Sequence, residues 1–145
     1  FLRHFGIKRV MLISMFAWVF RFGLFGLGDP GSGLWMLILS MIVYGMAFDF
    51  FNISGSLFVE LEAKPAIRAS AQGLFFMMTN GLGAIIGGYA SGAVVDAFSV
   101  YADGMLVSRE WPDIWFIFAG YALVIGILFA LVFKYKHQPE ELSKK

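Results

Sequence analysis

Four long apolar stretches constrain the fold of this 145-residue chain more than any other feature of its sequence. They cover residues 10–27, 34–58, 69–98 and 114–133. Each is long enough to cross a bilayer as a helix, for which about 20 mainly apolar residues are needed. Their apolar residues are continuous rather than alternating, which argues against the strands of a membrane barrel. We therefore predict an all-α, polytopic membrane protein with four spans and a tail at residues 134–145.

The composition of the chain excludes a water-soluble domain and several kinds of site. Hydrophobic residues make up 59% of the chain and charged residues only 14%, too few to cover a water-soluble surface. There is no Cys, so neither a disulfide scaffold nor a thiolate metal site can form. The sequence contains no H-E-x-x-H and no phosphate-binding loop. We expect no enzymatic activity, no metal, no cofactor and no nucleic-acid partner.

The distribution of basic residues predicts the direction of the spans. Nine of the 11 Lys and Arg fall on one side if the four stretches cross in turn: Arg3, Lys8, Arg9, Lys64, Arg68, Lys134, Lys136, Lys144 and Lys145. By the positive-inside rule, both ends of the chain are then cytoplasmic. Trp35, Trp111 and Trp115 fall near the opposite interface, where aromatic belts anchor membrane helices.

Asp49, near the middle of the second stretch, is the principal functional candidate. A carboxylate at that depth costs about 2.5–3.5 kcal/mol on insertion scales and is expected to face a cavity or a partner. At 100° per residue, one arc of about 140° contains small, aromatic and polar residues: Tyr44, Gly45, Phe48, Asp49, Asn52, Gly55 and Ser56. The rings can stack on a flat ligand, while Asn52 and Asp49 bind its polar groups.

The role of each polar residue inside the apolar stretches has two possible interpretations. Asp49 either serves a ligand and a proton or pairs with a cation to hold helices together. Arg21 either extends towards the interface in a structural role or pairs with an acid outside this chain. Gln72, Thr79 and Asn80 either line a cavity or form hydrogen bonds between helices. The spacings Gly83-x-x-x-Gly87 and Gly88-x-x-x-Gly92 predict close packing of the third span against another helix.

Several sequence strings resemble one transporter family. Residues 3–9 (RHFGIKR) are similar to a cytoplasmic loop motif of the major facilitator superfamily, without its leading acidic residue. Longer strings resemble the bacterial nucleoside:H⁺ symporters of that superfamily: residues 44–56 (YGMAFDFFNISGS), 65–73 (PAIRASAQG), 77–81 (MMTNG) and 133–137 (FKYKH). The resemblance covers nearly the whole chain except the loop at residues 99–113.

The resemblance carries implications that the residues alone do not. It implies that residues 1–145 are the C-terminal part of a transporter domain, with four of twelve helices, in a bacterial inner membrane. It places Tyr44 and Phe48 against a nucleoside, with Asp49 as a polar or proton-coupling contact. It further implies that substrate import is driven by protons, that the full-length protein is a monomer, and that its other helices complete the site. Two alternatives remain: a facilitator of the same fold for a sugar or another polar metabolite, and a membrane scaffold without transport.

Overall fold

In the computed structural model, residues 2–134 are described, except for the side chain of Arg3. Helix α1 covers Leu2–Leu27 and helix α2 covers Leu34–Glu62. Helical structure begins eight residues before the first apolar stretch because the basic N-terminal segment is also helical. The backbone of Gly6 is not helical (φ 78°, ψ 159°), so α1 consists of two helical segments joined by a kink at this residue. The predicted tail lies outside the described residues from position 135 onwards, together with the basic residues assigned to it there.

The third span is one continuous helical element that changes its hydrogen-bonding pattern three times. It starts with a 3₁₀ turn at Pro65–Ile67, continues as α3 (Arg68–Phe76), passes through a π-helical turn at Met77–Leu82 and ends as α4 (Gly83–Ala97). Thr79 lies in the π turn, and its hydroxyl donates to the Phe75 carbonyl at 2.8 Å. π turns insert one residue into the helical register, so α3 and α4 present different faces than a regular helix predicts.

The loop after α4 contains a β-hairpin that the sequence did not reveal. Strand β1 (Ser99–Ala102) pairs antiparallel with β2 (Met105–Arg109). Asp103 and Gly104 connect them with positive φ angles of 51° and 76°, as the tight turns of two-residue hairpins require. Helix α5 (Trp111–Val132) follows, with Pro112 in its first turn. We call the end of the bundle that carries this hairpin the hairpin end.

Helix α1 packs against both α2 and α5 and forms the centre of the described bundle. The buried Ser14 hydroxyl donates to the Ala47 carbonyl at 2.6 Å, joining α1 to α2 within the apolar region. Near the opposite end from the hairpin, Lys8 Nζ donates to the Ala130 carbonyl at 2.9 Å. Since the last carbonyls of a helix lack intrahelical partners and carry partial negative charge, Lys8 stabilises the C-terminal end of α5.

The third span contacts α2 through α3. Gln72 of α3 bonds to Ser56 of α2 twice, donating to its carbonyl at 2.7 Å and accepting from its hydroxyl at 3.0 Å. Beside this pair, Gly55 lies against the Phe75 ring so closely that a Cβ on Gly55 would overlap it. The sequence left open whether Gln72 lines a cavity or forms hydrogen bonds between helices, and the structure shows that it forms hydrogen bonds between helices.

The glycine spacing of α4 does not lead to close helix packing within residues 2–134. A Cβ built on Gly87, Gly88 or Gly92 meets no atom within 4 Å, and one on Gly83 meets only the Met78 carbonyl of its own helical element. Within the described residues these glycines therefore meet no partner helix, and the closest contacts of the third span are those of α3 with α2. A close contact of α4 with a helix outside this chain stays a prediction.

Four helices of the described chain are long and apolar enough to cross a membrane. They are His4–Leu27, Leu34–Glu62, Pro65–Ala97 and Trp111–Val132. Their mean hydropathies are 1.9, 1.9, 1.2 and 2.5, so the third is the least apolar, as its Gly, Ser and Thr content predicts. The chain is a multi-pass membrane protein.

We expect Gly55→Val to destabilise the full-length protein by about 1–3 kcal/mol, because the added methyl groups overlap the Phe75 ring. The measurement is the apparent midpoint of thermal unfolding of the purified protein in detergent. Gly120→Val on α5 is the matched control, since a Cβ at Gly120 meets nothing within 4 Å. Equal shifts for the two variants would contradict the close approach of α2 and α3.

Candidate functional site

The buried residues of α2 indicate which of its sides is packed. Ser40, Ala47 and Ser54 recur every seven residues and are fully buried on the side that faces α1. The predicted site residues Tyr44, Phe48, Asp49 and Asn52 fall on the other side or along its border. The part of the predicted arc from Tyr44 to Asn52 therefore forms a partly open face of α2, whereas Gly55 and Ser56 of the same arc pack against α3.

Tyr44 and Phe48 form an aromatic pair one helical turn apart. Their ring centroids are 5.9 Å apart with an interplanar angle of 42°. The Tyr44 ring also contacts Trp18 of α1 edge-on at 5.4 Å. Both site rings remain partly open, with exposed fractions of 37% for Tyr44 and 41% for Phe48. The structure thus brings together two rings that can contact the flat face of a ligand.

Asn52 lies one turn further along the same face. Its side-chain nitrogen donates to the Phe48 carbonyl at 2.9 Å. This bond uses one of the two amide N–H groups and leaves the amide oxygen as an acceptor. The local bond also fixes the orientation of the amide along α2. Asn52 can therefore accept a hydrogen bond from the polar edge of a ligand that contacts the rings.

Asp49 is exposed on the side of α2 that faces away from α1. No hydrogen bond or ion pair joins its carboxylate to another residue between positions 2 and 134. The structural alternative for Asp49, a cation partner within this bundle, is therefore not met in the described part of the chain. The carboxylate is open to a ligand, a proton or a group outside this chain.

Arg21 of α1 contacts the candidate site on α2, and the sequence did not predict this contact. Its guanidinium lies 4.2 Å from the Tyr44 ring centroid and 4.9 Å from that of Trp18. The Ser40 hydroxyl donates to the Arg21 carbonyl at 3.2 Å, fixing the two helices at the same level. The i, i+3 spacing of Trp18 and Arg21 places both on one face of α1. That spacing was a usable signal, but it does not reveal which residue of α2 they meet.

A separate apolar cavity of about 810 Å³ lies between α1, α4 and α5. Its walls include Met15, Phe22, Ile86, Val94 and Phe118. It contains none of the four predicted site residues. Ligand sites combine apolar walls with a few convergent polar groups. The described lining of this cavity offers the hydroxyls of Ser91 and Tyr121 and the indole N–H groups of Trp18 and Trp115, but no charged side chain. The polar and aromatic face of α2 is therefore the better candidate site.

The metal-ligating residue types are scattered in the described part of the chain. Between positions 2 and 134, no group of three or more His, Cys, Asp or Glu residues is arranged to hold a metal ion. The chemistry offered by the α2 face is thus stacking, hydrogen bonding and a single carboxylate.

Comparisons with known proteins agree with one another. A family model described as "Nucleoside H+ symporter" matches residues 1–138. The chain is 57% identical over 146 residues to a xanthosine permease of Escherichia coli K12, covering 100% of this chain and 34% of the permease. It is also 57% identical over 138 residues to the nucleoside permease NupG of the same organism, covering 94% of this chain and 32% of NupG.

A solved structure extends this similarity to the fold. The crystal structure of the nucleoside transporter NupG matches 94% of this chain with a TM-score of 0.83 and 57% identity, and the match covers 33% of that chain. The predicted fold class, a helical membrane bundle of the major facilitator type, is confirmed by this match. The chain spans about a third of the length of the curated relatives it matches.

Proposed function

The chain belongs to the nucleoside H⁺ symporter family, and from this membership we propose that the full-length protein imports nucleosides together with protons. The observation that carries the proposal is the α2 face, where two partly open rings share one side of the helix with an amide and with a carboxylate that has no partner among the described residues. A nucleoside has a flat base and hydroxyl-bearing ribose, which need these two kinds of contact. Transport requires no covalent chemistry, and the relatives are permeases by name.

In this proposal, each site residue has a distinct role. Tyr44 and Phe48 stack on the base, and Asn52 accepts a hydrogen bond from a donor of the base or ribose. Asp49 binds the ribose or base and carries the coupled proton. An intramembrane acid without a fixed partner is suited to this role because its protonated and ionised forms differ strongly in energy in an apolar medium.

The proposed mechanism is alternating access about a site near the bilayer midplane. Protonation of Asp49 and binding of the nucleoside each change the relative stability of the outward-open and inward-open states. Coupling arises only if both ligands favour the same transition. Helices outside this chain complete the site, and the protein acts as a monomer in a bacterial inner membrane with both ends of this segment in the cytoplasm.

The test is uptake by the full-length protein in cells that lack other nucleoside uptake. We expect labelled uridine or adenosine to accumulate above its external concentration. A protonophore is expected to reduce the internal concentration to the external one, because accumulation depends on the proton gradient. Empty-vector cells control for diffusion and metabolism. Transport of a sugar without any nucleoside, or nucleoside accumulation unaffected by the protonophore, would contradict the proposal.

A further inference from the structure

Arg21 is a charged residue placed in an unusual environment. It is the sole Lys, Arg, Asp or Glu between Val10 and Leu27 of α1. Its Nε atom is buried and has no hydrogen-bond partner within residues 2–134. A charge inside a membrane span is costly unless other groups compensate it. In the described chain, the groups around the guanidinium are aromatic rings.

Four rings surround the guanidinium, and one of them differs from the rest. Trp18, Phe22 and Phe25 lie 4.9, 5.7 and 5.4 Å away and belong to the same helix as Arg21. Tyr44, at 4.2 Å, is nearest and belongs to α2. All four distances fall within the range of cation–π attraction. The contact with Tyr44 is therefore the one that links the charge on α1 to the candidate site on α2.

The Tyr44 ring has contacts on both helices. Its ring has Arg21 and Trp18 on the α1 side and Phe48 along its own helix. A partly exposed tyrosine without such contacts rotates among its preferred side-chain conformations. Attraction to the guanidinium favours the one conformation in which the Tyr44 ring adjoins that of Phe48. The two rings then present a preformed surface to a ligand.

We propose that Arg21 is a positioning residue for the nucleoside site, acting through its cation–π contact with Tyr44. This inference rests on the proposed function of the α2 face. Removal of the guanidinium does not change the chemical groups of Tyr44. It does free the Tyr44 ring to leave its binding conformation. The apparent affinity for the nucleoside is then multiplied by the fraction of molecules in which the Tyr44 ring keeps its binding conformation.

A double-mutant cycle on the full-length protein tests the proposal, with Arg21→Met and Tyr44→Leu as the single changes. We expect Arg21→Met to raise the KM for uridine about tenfold, a value between those expected for an exposed and for a fully desolvated cation–π contact. The maximal rate per inserted transporter should change much less. In the Tyr44→Leu background, Arg21→Met should alter KM less than about twofold, since the ring it positions is absent.

Arg21→Lys is taken through the same cycle because loss of the charge can also impair folding. Lysine retains the charge but lacks the planar guanidinium that stacks on rings, so we expect about a threefold rise in KM that again disappears with Tyr44→Leu. The amount of inserted protein is measured for every variant. The proposal would be overturned if either Arg21 substitution raised the KM by the same factor in the Tyr44→Leu background as in the protein that retains Tyr44. If the unsubstituted protein transports no nucleoside, the proposed function fails instead, so the two failures are distinguishable.

Discussion

Asp49→Asn is expected to reduce gradient-driven accumulation of uridine by about 10- to 100-fold in the full-length protein, because one proton that crosses 100 mV supplies about 2.3 kcal/mol, equivalent to about 50-fold accumulation, and an uncoupled carrier only equilibrates uridine. Asparagine keeps the shape and hydrogen-bonding capacity of the side chain but can neither bind nor release a proton. Asp49 has no other partner within residues 2–134, so the substitution breaks no ion pair there. Exchange of labelled for unlabelled uridine across the membrane requires no net proton movement and should persist.

Two variants sharpen this prediction. Asp96→Asn on α4 is the matched control, since among the described residues the Asp96 side chain accepts only a long hydrogen bond of 3.4 Å from the exposed Tyr101. This variant should accumulate uridine normally. Asp49→Glu retains a titratable carboxyl and should restore part of the accumulation. Full accumulation by Asp49→Asn would remove the proton-coupling role. Loss of both accumulation and exchange would mean that asparagine cannot replace the carboxylate in binding the nucleoside, and the test would then not support a separate role in proton coupling.

The spans were predictable because length and continuous apolarity are properties of each segment alone. The ends of the helices were less predictable. Helix α1 begins at Leu2 because a basic segment can be helical without being apolar. The hairpin at 99–109 was missed since its strands are short and largely exposed. Without a buried face, they carry no strong alternation of apolar and polar residues.

The candidate site was predictable only to the extent that it lies on one helix. The pairing of Tyr44 with Phe48 follows from their i, i+4 spacing on α2, as the ring contact shows. The contact between Arg21 and Tyr44 does not follow from either helix, because it depends on how α1 and α2 are rotated about their axes. Hydrogen bonds from Ser14 and Ser40 fix that rotation, and no periodicity in the sequence identifies their partners.

We expect Phe48→Ala to weaken nucleoside binding by about 10- to 100-fold, because stacking between a base and an aromatic ring contributes about 1–3 kcal/mol. The measurement is the Kd of the purified full-length protein for adenosine and uridine by titration calorimetry. Adenosine should lose more affinity than uridine, since the purine presents a larger apolar face to the ring. Phe48→Tyr retains the ring and should change the Kd for either ligand much less.

The matched control is Phe20→Ala, which removes a ring of similar exposure, 53% against 41%, from α1 rather than from the site face. If Phe48 acts by contacting the base, Phe20→Ala leaves the Kd unchanged while both variants show similar thermal stability. Equal loss of affinity in the two variants would mean that removal of an exposed ring disturbs the bundle in general. An unchanged Kd for Phe48→Ala would place the base elsewhere, and the aromatic face of α2 would then lose its proposed role, because Phe48 is the more open of its two rings.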